Sequence, residues 1–136
     1  MIRLITYKTG GAIYVPNFID EETSNGAFNV ISKTVQFETK YMNIQGTLIG
    51  LPRSTAYYGD KPYTYSGITH DAKPFNPIIS SIKKLIVDEK SVNSVVTAKS
   101  LEKLNTCLLN VYQNELDSIA FHSDDEKELG PDNEKN

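Results

Sequence analysis

His122-Ser123-Asp124 sets an imidazole and a carboxylate two residues apart. On a β-strand, residues two apart project from the same face. Together they can grip one metal ion. They would be two of the three ligands in a two-histidine, one-carboxylate facial triad, the arrangement that holds non-haem iron(II). Three ligands on one face leave the opposite positions open for a cosubstrate and dioxygen. The simpler reading is a surface hydrogen bond, since a chance His-x-Asp is expected in roughly one chain in ten of this size. Asn110 and Tyr112 repeat the two-residue spacing upstream. An amide and a phenol side by side suit a small carboxylate ligand, and a core tyrosine with a satisfied hydroxyl is the competing reading. Asp125 and Glu126 follow the His-Asp pair and read either as acceptors for the exocyclic amine of a base or as a solvated acidic turn. His70, beside Asp71, could bind metal but reads more simply as an exposed histidine. Cys107 lies in an apolar stretch and reads as a buried, inert thiol. There is no Walker loop, no Gly-x-Ser-x-Gly and no Cys-x-x-Cys.

These residues need elements to position them. Residues 10–19 read as a short strand running into a turn. Asp20 can cap a helix, with Glu21 and Glu22 near the positive end of its dipole and Phe28 and Ile31 at helical spacing. Alternation at Val35, Phe37, Ile44 and Leu48, with Gly46 between, predicts strands joined by a turn. Residues 51–69 form a dense block that holds Tyr57, Tyr58, Tyr63 and Tyr65, half of the 8 tyrosines. Gly59-Asp60 marks a turn in it. Asn76-Pro77 starts a helix, and Ile78, Ile79, Ile82, Leu85 and Ile86 give it one apolar stripe. Residues 88–103 read as a polar loop with some helical tendency at Ser100–Lys103. Residues 104–112 read as a buried strand and 118–124 as a second strand.

Composition narrows the class. The chain has 136 residues, enough for one domain with a core. Its apolar runs are too short for a membrane span, and Met1–Tyr7 does not read as a signal peptide. One cysteine excludes an internal disulfide framework and fits a reducing compartment, so cytoplasm or nucleus is expected. The net charge of −3 hides an asymmetry. Residues 1–114 carry 12 Lys and Arg against 9 Asp and Glu, or +3, and residues 115–136 carry 2 against 8, or −6. A mildly basic body tolerates a nucleic-acid backbone without demanding one. Arg3 and Arg53 are the only arginines.

The order of these pieces resembles the AlkB family of 2-oxoglutarate- and iron(II)-dependent dioxygenases. The pieces are Pro52-Arg53-Ser54-Thr55-Ala56-Tyr57-Tyr58-Gly59, Tyr63-Thr64-Tyr65-Ser66, Pro74-Phe75-Asn76-Pro77, Asn105–Tyr112, Asp117–Glu126 and Leu129-Gly130-Pro131. The resemblance spans about residues 10–131 and is closest to the eukaryotic and viral branches that repair alkylated nucleic acid. It implies an α+β fold, a double-stranded β-helix (jelly-roll, cupin-like) with flanking helices. It also implies one domain over 1–136, with a tail from about 131, incomplete after the first iron-ligand strand. By resemblance, His122 and Asp124 hold Fe(II), and Asn110 and Tyr112 bind 2-oxoglutarate. Tyr63, Thr64 and Tyr65 line the pocket for the damaged base, Asp125 sits next to that base, and Arg53 lies near the substrate strand. The implied activity is oxidative demethylation of bases of the 1-methyladenine or 3-methylcytosine type in DNA or RNA, with dioxygen consumed and no membrane involved. A base must leave the stack to be reached, so aromatics near the pocket fit that activity.

The family's later strands bring a second iron histidine and arginines that clamp 2-oxoglutarate. No histidine follows His122 here and no arginine follows Arg53. The expectation is therefore an incomplete iron site and exposed strand edges in this chain. Two other classes stay open: a non-catalytic nucleic-acid or protein interaction module of the same ancestry, and an oxygenase acting on protein or a small molecule.

Overall fold

The computed structural model describes residues 3–7, 10–65, 67–89 and 101–122. It divides into two compact units. The described residues of 1–35 and 77–104 make one, and those of 36–76 and 105–136 the other.

In the first unit, β1 (Arg3–Tyr7) pairs antiparallel with β2 (Gly10–Tyr14), from Arg3 opposite Tyr14 to Tyr7 opposite Gly10. β1 had no signal beyond its short apolar composition. Helix α1 (Glu21–Thr34) begins where the sequence predicts. Asp20 is extended, and its carboxylate accepts from the Thr23 N–H and the Thr23 hydroxyl, both at 2.8 Å. That satisfies one of the open donors of the first turn. Glu21 and Glu22 at the start and Lys33 at the end complement the dipole. Val35 turns back to extended backbone and its N–H closes on Ile31 O at 3.0 Å. No residue of α1 is buried, and Phe28 is largely exposed. Helix α2 (Pro77–Asp88) starts at its proline, whose missing N–H costs nothing in the first turn. Its stripe is uneven: Ile79 is buried, Ile78, Ile82 and Ile86 are half-buried, and Leu85 is exposed. Leu101 is buried in a short helical turn, which Lys83 Nζ reaches by donating to Glu102 O at 3.0 Å.

The second unit is built on an antiparallel sheet of order β3-β4-β7, with β3 at Glu38–Ile44, β4 at Thr47–Gly59 and β7 at Thr106–Val111. Gln45 and Gly46 join β3 to β4 at φ 51° and 88°. Two consecutive positive φ values are what a tight two-residue hairpin needs, and glycine takes the second without strain. Asn43 Oδ1 accepts from the Gly46 N–H at 2.8 Å. The β3–β4 register shifts between Thr39 and Tyr41. A smaller hairpin, β5 (Tyr63–Tyr65) and β6 (Ile68–His70), pairs Tyr63 with His70. The Gly59 N–H donates to Lys73 O at 2.8 Å, fixing the chain that leaves β6 to the end of β4.

Two expectations are corrected here. β7 is not a buried strand: its residues alternate between exposed and half-buried, because it is an outer strand of this sheet with one uncovered face. The described part of 118–124, residues 118–122, is not a strand. The turn before it is held by the Gln113 N–H donating to Asp117 Oδ2 at 2.7 Å. Ser118 N then makes one backbone bond, to Pro52 O at 2.9 Å. Ile119 and Phe121 stay exposed, and among the described residues no strand forms a ladder with this stretch. Among the described residues no helix is long and apolar enough to cross a membrane.

Candidate functional site

The pairing of β4 with β7 decides which predicted residues meet. Thr55 stands opposite Asn110 and Tyr57 opposite Leu108. Directly opposed residues share a face of an antiparallel pair. Arg53, Thr55 and Tyr57 therefore share a face with Leu108 and Asn110. On it Arg53 Nε donates to Asn110 Oδ1 at 3.2 Å. The resemblance assigned these two residues to different partners, substrate strand and 2-oxoglutarate, and 57 positions separate them. The structure joins them. Oδ1 is engaged by the guanidinium, so the donors that Asn110 can offer a ligand are those of Nδ2. Tyr112 follows β7 and is 45% exposed, so the core-tyrosine reading is wrong.

The far end of the same face is covered. Tyr57 is buried, and Tyr63 stacks on it with ring centroids 5.6 Å apart at 25°. His70 lies 5.9 Å from Tyr63 at 23° and 6.1 Å from Tyr57 at 48°. Tyr57 is anchored by its hydroxyl, which donates to Lys61 O at 2.9 Å. Burial, with the charge of Asp60 in support, pushes that phenol above its ordinary pKa. His70 is only 7% exposed, which corrects the expectation of an exposed histidine. Its ring partner is not Asp71 but the tyrosine opposite it in a hairpin of two three-residue strands, a pairing no local pattern announces. Thr64 Oγ1 and Thr69 Oγ1 share a hydrogen bond of 3.1 Å on the hairpin's exposed side, so Thr64 does not join the ring cluster.

Beside the rings lies a cleft of about 30 Å³, lined by Glu38, Lys40, Thr55, Tyr57, His70 and Lys73 among others. Sequence reasoning missed it, because Glu38 and Lys40 come from β3 and Lys73 from the chain after β6. Glu38 takes Lys40 at 3.0 Å and Lys73 at 3.4 Å. The Lys40 hydrogen bond, then its charge, then Lys73 hold the Glu38 carboxyl below its ordinary range. Burial first, then the positive charge of Lys40, holds His70 below the usual histidine value; Arg53 adds to this and Glu38 opposes it.

His122 is exposed, and its Nδ1 lies 2.9 Å from Ala120 O. A carbonyl only accepts, so Nδ1 carries the proton in this contact. A backbone carbonyl holding one ring nitrogen is the usual support behind a metal-binding histidine. Asp124 and Asp125 lie outside the described residues. Among the described residues no three His, Cys, Asp or Glu groups cluster as a metal site.

Residues 11–133 match the family described as the 2OG-Fe(II) oxygenase superfamily. The chain belongs to that superfamily. Fe(II) and 2-oxoglutarate are the family's cofactor and cosubstrate. Bovine (Bos taurus) alpha-ketoglutarate-dependent dioxygenase alkB homolog 3 is 34% identical over 116 residues, covering 85% of this chain and 37% of its own length. The Homo sapiens protein of the same name is 31% identical over 116 residues, with the same coverage. Homo sapiens DNA oxidative demethylase ALKBH2 is 33% identical over 109 residues, covering 76% of this chain and 38% of its own. The chain thus spans less than two-fifths of the length of these relatives. The superfamily reading made from the motif order, and the AlkB branch within it, agree with these matches.

Proposed function

We propose that this chain is the part of a 2-oxoglutarate- and Fe(II)-dependent dioxygenase that carries the base pocket and the first iron ligands, and that the enzyme demethylates alkylated bases in DNA or RNA. The observation that carries the reading is the likeness to both alkB homolog 3 and a DNA oxidative demethylase over most of this chain. The sheet is read as part of a double-stranded β-helix within a single domain over 1–136. Such a substrate puts the work in the cytoplasm or nucleus.

His122 and Asp124 would hold the iron, and a backbone carbonyl that holds His122 Nδ1 supports that role. When bound, iron(II) and 2-oxoglutarate supply the oxidation of an N-methyl group by dioxygen, releasing succinate, carbon dioxide and, from the hydroxymethyl product, formaldehyde. The Asn110 amide, held by Arg53, and the hydroxyl of the exposed Tyr112 would offer donors to a carboxylate. Tyr63, with Tyr65 two residues on, would line the pocket for a base drawn out of its stack, and Thr64, on the hairpin's other side, would join it only from the rim. A methylated base of this type is cationic. The electron-rich ring of Tyr63 suits a cation. Asp125 would accept from the exocyclic amine.

The test uses oligonucleotides carrying 1-methyladenine or 3-methylcytosine, with Fe(II), ascorbate and 2-oxoglutarate. Loss of one CH₂ per site is read by mass spectrometry, with the strands that bring the second histidine and the arginines present, for wild type and His122→Ala. Iron-dependent loss abolished by His122→Ala is expected. Methylated oligonucleotides that are neither bound nor changed would remove the reading. Salt-sensitive binding indifferent to iron and 2-oxoglutarate would favour the interaction module instead.

A further inference from the structure

The three-ring cluster contains one group that can change its charge. Tyr57 is held by its bond to Lys61 O at 2.9 Å and by burial. The three rings form a triangle with centroids 5.6, 5.9 and 6.1 Å apart, and Tyr63 is nearly parallel to both Tyr57 and His70, at 25° and 23°. Among the neighbours that pack against Tyr63, one is anchored and one is ionisable. A neutral imidazole stacks as another aromatic ring. An imidazolium in the same place needs water or a counter-charge.

The surroundings supply little of either. From β3, Glu38 and Lys40 face the cleft beside His70; from β4, Tyr57 does; from the chain after β6, Asp71 and Lys73 do. Arg53 adds positive charge from further along β4. Glu38 already carries both lysines, so its charge is compensated. Asp71 is exposed and screened by solvent. The cleft, about 30 Å³, holds on the order of two waters. Attraction of a cation to the tyrosine faces acts the other way, but it does not replace a hydration shell.

We propose that His70 is a positioning residue for Tyr63, holding that ring as a neutral stacking partner and releasing it when protonated. The consequence for base binding rests on the reading of Tyr63 as a pocket residue. Base binding then weakens in mild acid because the pocket loses its wall. The lowering of the His70 pKa by burial fits this order, since it favours the neutral ring.

The experiment is an NMR titration of the chain between pH 8 and 5. It holds only 2 histidines, so His122→Asn assigns both ring signals, and Tyr63→Phe assigns the Tyr63 ring. The expected result is that the Tyr63 ring signals move with the same midpoint as His70, and that in His70→Phe they no longer respond to pH. Tyr63 signals that stay still while His70 titrates would overturn the proposal, and this needs only the wild type. So would Tyr63 signals that respond equally in His70→Phe. In parallel, anisotropy follows a 3-methylcytosine oligonucleotide. Binding at least threefold weaker on the acid side, and flat with pH in His70→Phe, is expected; binding flat with pH in the wild type counts against the pocket link. An oligonucleotide bound at no pH would remove the base-pocket reading, and the titration alone would then decide the role of His70.

Discussion

Thr55→Val should make the protein more stable. Thr55 is 3% exposed, and its Oγ1 is buried with no hydrogen-bond partner among the described residues. A buried hydroxyl without a partner costs about 1–3 kcal/mol. Valine has nearly the same shape and is equally suited to a strand, so the change removes the hydroxyl and keeps the packing. The expected gain is about 1–2 kcal/mol, or roughly 3–8 °C in Tm for a chain of this length. Urea unfolding followed by circular dichroism measures it, with the slope checked for constancy between variants. Thr55→Ser is the control: it keeps the hydroxyl, loses the methyl and should be less stable by about 1 kcal/mol. The reasoning fails if Thr55→Val is destabilising by about 1 kcal/mol or more. That result would mean that water in the adjoining cleft of about 30 Å³ satisfies the hydroxyl. Either way the sign reports whether β4 carries an unsatisfied group directly opposite Asn110.

Three more outcomes follow from the same geometry. Gly59→Ala would put a Cβ 2.6 Å from the Tyr57 hydroxyl oxygen and 3.0 Å from Cζ, so Tyr57 must shift. A loss of about 1–3 kcal/mol is expected, with a changed near-ultraviolet tyrosine signal. Cys107 is half-buried, and burial pushes its thiol up. Labelling by a thiol reagent at pH 7 should be at least about tenfold slower than in urea, and equal rates would refute the placement. Glu38 is held below its unfolded value, so it contributes stability that is present above the ordinary glutamate range and lost as pH falls through its lowered value. Urea melts from pH 6 to 3 should show a shallower acid loss for Glu38→Gln than for the wild type.

Local chemistry made the helices legible. Asp20 with two following glutamates, and Asn76-Pro77 before an isoleucine stripe, state their starts in adjacent residues. The Gln45-Gly46 turn and the strands around it were legible for the same reason. What sequence could not carry was register. Arg53 and Asn110 are each ordinary in their own segment, and only the pairing of β4 with β7 turns them into one hydrogen-bonded group. His70 was misread because its nearest neighbour in sequence is an aspartate and its nearest ring belongs to the strand across a turn. The apolar residues at 118–122 imitate a strand, but pattern without a neighbouring edge does not make one.

β4 has 13 residues and serves two partners in sequence. β3 pairs with its Thr47–Thr55 stretch and β7 with Ser54–Gly59, overlapping only at Ser54 and Thr55. The first pairing closes on a two-residue turn, a microsecond event. The second must wait until the strand following α2 has been synthesised, several seconds later at cellular elongation rates. A newborn chain therefore holds the β3–β4 hairpin with one flank of β4 unclaimed. Loop entropy makes the β7 docking step the slow one, and the Arg53–Asn110 bond reports its completion. During that interval the unpaired flank of β4 is the place where a second nascent chain, or a chaperone, would find the molecule still open.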